Sequence, residues 1–244
     1  MSDERTETIT ASDGGTFDGW LFLPPNGRGP GILLLQEIFG VGEFLRGKAI
    51  DLAARGYVVL CPDVFWRSER RVAHGHDEAG LQQAFASLTK WQAETDDATN
   101  VGDLLAALAH LRGMRAVDSA KVAVMGYCLG GRLAYEVSVA GDPDACVAYY
   151  GSGIGERVDA TAGEVSCPTL FHYGDSDPFI PNEENEAVQA AFAGNDDVTV
   201  HVHAGGGHAF ENEQAEQFWN TACAERSWSL TLAFLAEQLQ PPTP

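Results

Sequence analysis

Residues 121–131 read Lys-Val-Ala-Val-Met-Gly-Tyr-Cys-Leu-Gly-Gly, an apolar run that ends at a cysteine surrounded by glycines. The pattern is typical of a strand–turn–helix elbow that presents a catalytic nucleophile. A strained backbone at the nucleophile requires neighbours without a bulky Cβ, and Gly126, Gly130 and Gly131 meet that requirement. The turn would also place Cys128 at a helix N-terminus, where partial positive charge favours the thiolate. The stretch therefore predicts nucleophilic acyl transfer, the alternative being a glycine-rich turn that holds an inert thiol.

The rest of the chain alternates between two kinds of segment. Near-continuous apolar runs, typical of buried parallel strands, lie at 31–36, 57–61, 122–125, 146–150, 169–173 and 198–202. Helix-compatible stretches lie at 44–55, 80–91, 95–112, 132–140, 182–193 and 218–239. Segments 7–11 and 16–23 flank Ser-Asp-Gly-Gly, which predicts a hairpin on the sheet edge. We expect one α/β domain over residues 1–244, with a mostly parallel central sheet and helices on both faces.

The composition narrows the possible partners. The formal charge is −20, with 35 acidic against 15 basic side chains, so nucleic acids and anionic membrane surfaces would be repelled. No apolar window reaches the length of a membrane span, and the five cysteines lack the spacing of a zinc or redox site. We expect a cytoplasmic protein without nucleic-acid or membrane partners, monomeric or weakly homo-oligomeric, that acts on a small molecule.

A nucleophilic cysteine needs a histidine base and an acid that orients it, and both follow later predicted strands. Asp175 and Asp177 come after the run 169–173, and His208 comes after the run 198–202. This chain order is that of the α/β-hydrolases, and each candidate falls at the carboxyl end of a strand, where open α/β sheets bind ligands. Asp177 is preferred as the acid, because Asp175 suits the backbone of the turn.

The other histidines offer metal-binding alternatives. His201 and His203 lie inside an alternating strand, and a site made with the candidate base lacks a carboxylate at suitable spacing. His74 and His76 form a His-Gly-His in the polar stretch 67–78, which predicts a loop over the carboxyl edge of the sheet. Exposed loop histidines are usually solvated, so the sequence favours no metal.

One carboxylate lies where a buried strand is predicted to end. Glu37 follows the run 31–36, and burying a carboxylate is costly unless it has a partner or a purpose. We assign it to the site, the alternatives being a helix cap or a salt bridge with Arg46. The backbone N–H groups of Ile38 and Leu129 are the natural oxyanion donors, one in the loop after the third strand and one directly after the nucleophile.

With these residues assembled, the sequence resembles the dienelactone hydrolase family, also called carboxymethylenebutenolidases. The resemblance covers nearly the whole chain and rests on Gln36-Glu37-Ile38-Phe39-Gly40, Pro62-Asp63-Val64-Phe65, Gly126-Tyr127-Cys128-Leu129-Gly130-Gly131, Tyr149-Tyr150-Gly151, Asp177 within Asp-Pro-Phe-Ile-Pro, and Gly207-His208-Ala209-Phe210. It implies an α/β-hydrolase fold, no cofactor, and hydrolysis of ester or lactone bonds by Cys128, His208 and Asp177 through a thioester. It also implies that Glu37 hydrogen-bonds the resting cysteine and swings toward the triad when substrate arrives.

The chain departs from the family pattern at the substrate pocket. Members active on dienelactone carry two arginines that bind the substrate carboxylate, and the flanking residues put Leu81 and Asn212 at those positions. Phe85 stands where relatives have tyrosine, and the resemblance implies that Phe39 and Tyr150 also contact substrate. Each lost charge-assisted contact removes about 1.5–3 kcal/mol, which predicts a substrate more neutral or apolar than dienelactone.

Three alternatives stay open from the sequence. Arg67, Arg70 or Arg71 could replace the missing pair, although exposed loop arginines are usually solvated. The same triad could serve a thioesterase or another acyl transferase. Cys128 could instead be oxidised in a non-catalytic, redox-sensing member of the family.

Overall fold

The computed structural model describes residues 3–165 and 167–240, which form a sheet of eight strands with helices packed against it. The strands are β1 (Asp3–Thr10), β2 (Thr16–Leu23), β3 (Gly29–Leu35), β4 (Val58–Pro62), β5 (Val117–Tyr127), β6 (Ala145–Tyr149), β7 (Thr169–Gly174) and β8 (Val198–His203). The helices are α1 (Glu43–Ala54), α2 (Glu78–Glu94), α3 (Asp97–Gly113), α4 (Leu129–Ala140), α5 (Val158–Thr161), α6 (Asn182–Ala191) and α7 (Thr221–Leu239). The short helix α5 is the element that the hydrophobic pattern did not indicate.

The strands lie in the order β1-β2-β4-β3-β5-β6-β7-β8. The hairpin β1–β2 joins the sheet through an antiparallel contact between β2 and β4, and the pairs from β4 to β8 are parallel. Both the edge hairpin and the mostly parallel sheet predicted from the sequence are therefore confirmed. Parallel strands end at one edge of the sheet, so the loops that follow β3, β5, β7 and β8 meet there.

The central strands are apolar on both sides because helices cover both faces of the sheet. Ile32 and Leu34 belong to a core shared with α1 and α7. Leu33 and Leu35, one residue out of phase on β3, belong to a second core shared with α2 and α3. This arrangement explains the near-continuous apolar runs, in which alternate residues enter opposite cores. Within the described residues, the length and hydropathy of the helices do not suffice for a membrane-spanning segment.

Candidate active site

Cys128 lies on a strained turn between β5 and α4. Its backbone has φ 55° and ψ −117°, and its N–H donates to the Tyr149 carbonyl at 3.0 Å. A Cβ on Gly126 would come within 2.0 Å of the Gly130 carbonyl oxygen, and one on Gly131 within 2.2 Å of the Tyr149 carbonyl oxygen. Strand and helix therefore approach closely only because these positions are glycine. The turn presents the sulfur at the carboxyl edge of the sheet.

The three residues predicted to form a triad are in hydrogen-bond contact. Cys128 Sγ lies 3.1 Å from His208 Nε2, and His208 Nδ1 lies 2.8 Å from Asp177 Oδ2. The other oxygen of Asp177 accepts the Phe179 N–H at 2.8 Å, which fixes the carboxylate in the plane it needs. Asp175 is exposed, and its carboxylate accepts the N–H of Gly205, in the loop after β8, at 2.7 Å. The geometry is that of a nucleophile, a base and an orienting acid.

Opposing effects set the pKa of His208. Burial lowers it, but the adjacent Cys128 sulfur and the Asp177 carboxylate favour the protonated ring and raise it, with a net pKa of about 10. A protonated imidazole beside the sulfur in turn stabilises a thiolate. The contacts therefore favour the protonated form of the His208 ring, which faces the sulfur.

Glu37 is 2% exposed and its carboxylate has two side-chain partners. His76 Nε2 lies 2.5 Å from one oxygen, and Asn212 Nδ2 lies 3.0 and 3.1 Å from the two oxygens. Neither alternative considered for Glu37 is what the structure shows, because Arg46 hydrogen-bonds the Val41 carbonyl oxygen and pairs with another carboxylate. The contacts also differ from those that the family resemblance implies, since Glu37 is bound by other residues while the cysteine pairs with histidine.

The loop histidines are ordered parts of the structure rather than solvated side chains, and that sequence-based expectation is wrong. The His76 side chain is 6% exposed and its ring packs on Phe39, with centroids 4.1 Å apart. His74 Nε2 lies 2.9 Å from Ser87 Oγ. His76 is thus a site residue that sequence reasoning missed. The signal that could have found it was its place in a loop over the edge where the strands end.

The triad opens into a cavity of about 270 Å³. Of the residues expected to contact substrate, Phe39, Leu81 and Phe85 line it. Tyr150 and Asn212 are fully buried behind the wall instead, with the Tyr150 ring centroid 5.3 Å from that of His208. Further lining residues that the sequence did not indicate are Leu88, Gln92, Arg132, Ser152, Phe179, Ala215 and Phe218. The wall is mainly aliphatic and aromatic, which suits a small apolar acyl or lactone group.

The three loop arginines are committed elsewhere. Arg67 binds Asp103, with both distances 2.7 Å, Arg70 donates to a backbone carbonyl, and Arg71 binds a carboxylate of β2 at 2.8 Å. Among the described residues they are absent from the cavity wall, so they do not replace the missing pair. Arg132 does line the cavity, but its guanidinium binds Glu136 at 3.0 Å.

The residues expected to supply the oxyanion donors line the same cavity as Cys128. Leu129 is the first residue of α4, where backbone N–H groups have no acceptor within the helix. Ile38 follows Glu37 in the loop after β3, and both Ile38 and Leu129 line the cavity. Their N–H groups remain our prediction for the site that receives negative charge from the carbonyl oxygen.

A mostly parallel eight-stranded sheet with a strained strand–turn–helix elbow after β5 defines the class of the α/β-hydrolases. The chain belongs to the dienelactone hydrolase family, whose sequence profile matches residues 17–239. It is 37% identical over 212 residues to a carboxymethylenebutenolidase of a Pseudomonas species, covering 86% of each chain. It is 35% identical over 218 residues to a carboxymethylenebutenolidase of Pseudomonas putida, covering 89% of this chain and 90% of the relative.

Solved structures agree with this fold. A dienelactone hydrolase-like promiscuous phosphotriesterase from metagenomic libraries superposes with a TM-score of 0.77 at 23% identity, covering 97% of this chain and 99% of the other. At that identity the likeness speaks for the fold alone. Membership of the family makes the chain a hydrolase, as the sequence predicted.

Proposed function

We propose that the chain hydrolyses carboxylic ester or lactone bonds, with Cys128 as nucleophile, His208 as proton carrier and Asp177 as the acid that orients the imidazole. The observation that carries the proposal is the pair of contacts around His208, 3.1 Å to the sulfur and 2.8 Å to the carboxylate, at the wall of an apolar cavity. An inert buried thiol has no need of either contact.

In the first half of the reaction, Cys128 Sγ attacks the carbonyl carbon as the thiolate, and the carbonyl oxygen becomes an oxyanion. The N–H groups of Ile38 and Leu129 stabilise that charge. As the tetrahedral intermediate collapses, the bond to the leaving oxygen breaks and the His208 imidazolium gives its proton to that oxygen. The product of this half is a thioester on Cys128 and a free alcohol, or a ring-opened chain when the substrate is a lactone.

In the second half, neutral His208 removes a proton from water, and the hydroxyl oxygen attacks the thioester carbonyl. Collapse of the second tetrahedral intermediate breaks the carbon–sulfur bond, which releases a carboxylic acid and restores the thiolate beside the imidazolium. Asp177 accepts the Nδ1 hydrogen throughout, so Nε2 always faces the reacting atoms.

The cavity wall supports a neutral substrate. Leu81 and Phe85 give it an apolar side, and the charge of Arg132 is offset by Glu136 at 3.0 Å and Asp97 at 3.6 Å. A substrate carboxylate would have to compete with those two acids for the guanidinium. The names of the relatives nevertheless make dienelactone the natural charged comparison. We propose that neutral esters and lactones are turned over with the higher kcat/KM.

The test is steady-state hydrolysis of p-nitrophenyl acetate and dienelactone by the wild type and by Cys128→Ala. We expect turnover that favours the neutral ester and falls by at least about 10³-fold in Cys128→Ala. Cys223→Ala is the matched control, because Cys223 is a buried thiol outside the cavity wall. An acetyl group trapped on Cys128 by acid quenching would separate this function from a redox-sensing thiol. Retained turnover in Cys128→Ala would overturn the mechanism, and a higher kcat/KM for dienelactone would overturn the substrate preference.

A further inference from the structure

We propose that His76 and Asn212 form a clamp that holds the Glu37 carboxylate away from Cys128, so that the Cys128–His208 pair is assembled before substrate arrives. The inference rests on the proposed function, in which Cys128 is the nucleophile. It adds two positioning residues to that function and makes the nucleophile permanently ready rather than triggered by the substrate. The family resemblance alone implies the opposite, a cysteine held by Glu37 at rest.

The clamp contacts both oxygens of Glu37. His76 Nε2 lies 2.5 Å from Oε1 and 2.9 Å from the Asn212 amide nitrogen, which itself lies 3.0 and 3.1 Å from Oε1 and Oε2. In the tautomer with its proton on Nε2, His76 donates to the carboxylate. The orientation of the Asn212 amide is fixed because its oxygen accepts the Gln214 N–H at 2.9 Å. Its nitrogen therefore faces Glu37. With Glu37 2% and Asn212 0% exposed, water does not compete strongly for these contacts.

The backbone fixes the position of His76 relative to Glu37. The segment before His76 runs beside the loop that follows β3, with the Val41 N–H donating to the Val72 carbonyl oxygen at 3.0 Å and the His74 N–H to the Phe39 carbonyl oxygen at 2.8 Å. The loop at Gly40 has φ +86°, and a Cβ there would lie 2.0 Å from the Val72 oxygen. The two loops are in close contact, and Phe39 supports the imidazole of the clamp from one side.

Electrostatics gives the clamp a consequence for the thiol. Glu37 and Cys128 line the same cavity, so an unbound carboxylate could approach the sulfur. A carboxylate beside a thiolate repels it and competes with His208 for the proton of the thiol. Contacts to His76 and Asn212 instead engage both oxygens of Glu37, and the sulfur lies 3.1 Å from His208 Nε2.

The experiment measures the second-order rate of alkylation of Cys128 by iodoacetamide at neutral pH without substrate, resolved by peptide mass spectrometry. A charge-assisted hydrogen bond is lost in His76→Ala, and we expect alkylation to slow by about tenfold or more. His76→Gln retains a donor and should recover most of the rate. His74→Ala is the matched control, since His74 lies in the same loop but contacts Ser87 rather than Glu37. Thermal unfolding monitors the fold of each variant.

The decisive comparison repeats the substitution in a Glu37→Gln background. If His76 acts by restraining the carboxylate, the effect of His76→Ala disappears once that carboxylate is a neutral amide. Three results would each overturn the clamp. The alkylation rate could fall by less than about threefold in His76→Ala, it could fall equally when His76→Ala is made in the Glu37→Gln background, or it could fall equally in His74→Ala. If His76→Ala does not fold, His76→Phe serves in its place, because it keeps a ring on Phe39 without the donor.

The outcome is independent of the proposed function, because alkylation requires no acyl transfer. Rapid, His76-dependent alkylation without ester turnover would overturn the proposed function and keep the clamp. If ester turnover requires Cys128 but His76→Ala does not change the alkylation rate, the proposed function is kept and the clamp is overturned.

Discussion

Replacing Asp177 with asparagine keeps the size of the side chain but removes the charge that faces His208. The Phe179 N–H still requires an acceptor at Oδ1, where the distance is now 2.8 Å, so the amide oxygen of the variant should stay there. The amide nitrogen then faces His208 Nδ1, which can only accept from it. The imidazole proton is consequently placed on Nε2, facing Cys128, and the ring can no longer take the proton of the thiol.

The expected loss follows from these contacts. A hydrogen bond between charged partners contributes about 1.5–3 kcal/mol, which corresponds to roughly 10- to 150-fold in rate. The tautomer change adds to this, since the same substitution in a serine-protease triad costs about 10⁴-fold. We therefore expect kcat for p-nitrophenyl acetate to fall by about 10²- to 10⁴-fold, with a smaller change in KM. The pKa of His208, now about 10, should fall as well because Asp177 helps to raise it.

The matched control is Asp175→Asn, two residues earlier in the same turn. Asp175 is exposed and its Oδ1 accepts the Gly205 N–H at 2.7 Å, a contact that an asparagine oxygen can keep. Its kcat should remain within about threefold of the wild type. Retention of more than about a third of kcat in Asp177→Asn would contradict this role of Asp177, as would an equal loss of kcat in both variants.

Three further predictions test the pocket, the elbow and a buried carboxylate. Leu81→Arg places a cation in the cavity wall and should raise the ratio of kcat/KM for dienelactone over p-nitrophenyl acetate by about tenfold. An unchanged ratio would show that residue 81 does not contact the substrate carboxylate. Gly126→Ala should prevent stable folding, because its Cβ would lie 2.0 Å from a backbone oxygen. Gly102→Ala, which has open space in α3, should instead raise the unfolding free energy by up to about 1 kcal/mol. Melting temperatures of both variants equal to that of the wild type would contradict both predictions. Burial raises the pKa of Asp63 from 3.8 to about 6, so its contribution to folding is present below pH 3.8 and is lost as the pH rises through 6. Urea titrations should therefore show the stability of the wild type relative to Asp63→Asn falling by about 1 kcal/mol from pH 5 to pH 8, and a constant difference would reject this account.

Local patterns indicated most of the fold. Buried parallel strands give unbroken apolar runs, and the amphipathic spacing of α3 gives a helix, because each depends on residues near one another in the chain. The α/β class and the family are confirmed, and the element boundaries differ by a few residues, as at β5. The helix α5 has four residues, too few for a periodic pattern, so hydrophobic periodicity could not indicate it.

The candidate triad could also be proposed from sequence, since each member follows a strand and parallel strands end at one edge. The contacts of Glu37 could not. His76 and Asn212 lie 39 and 175 residues from it along the chain, and no spacing rule relates such positions. The cavity wall could not be predicted either, because α2, α4 and the loop before α7 contribute residues that meet only when the chain folds.

The α/β-hydrolase class, the glycine elbow around Cys128 and the order of the candidate catalytic residues can be predicted from the chain alone, because short-range sterics and hydrophobic periodicity encode them. The surroundings of the sulfur depend instead on how distant segments pack together in the tertiary structure. This packing placed Arg67 on Asp103 rather than in the cavity, and it bound Glu37 to His76 and Asn212. A buried charge takes whichever partners long-range packing brings within hydrogen-bond distance, and that choice is made by the fold as a whole.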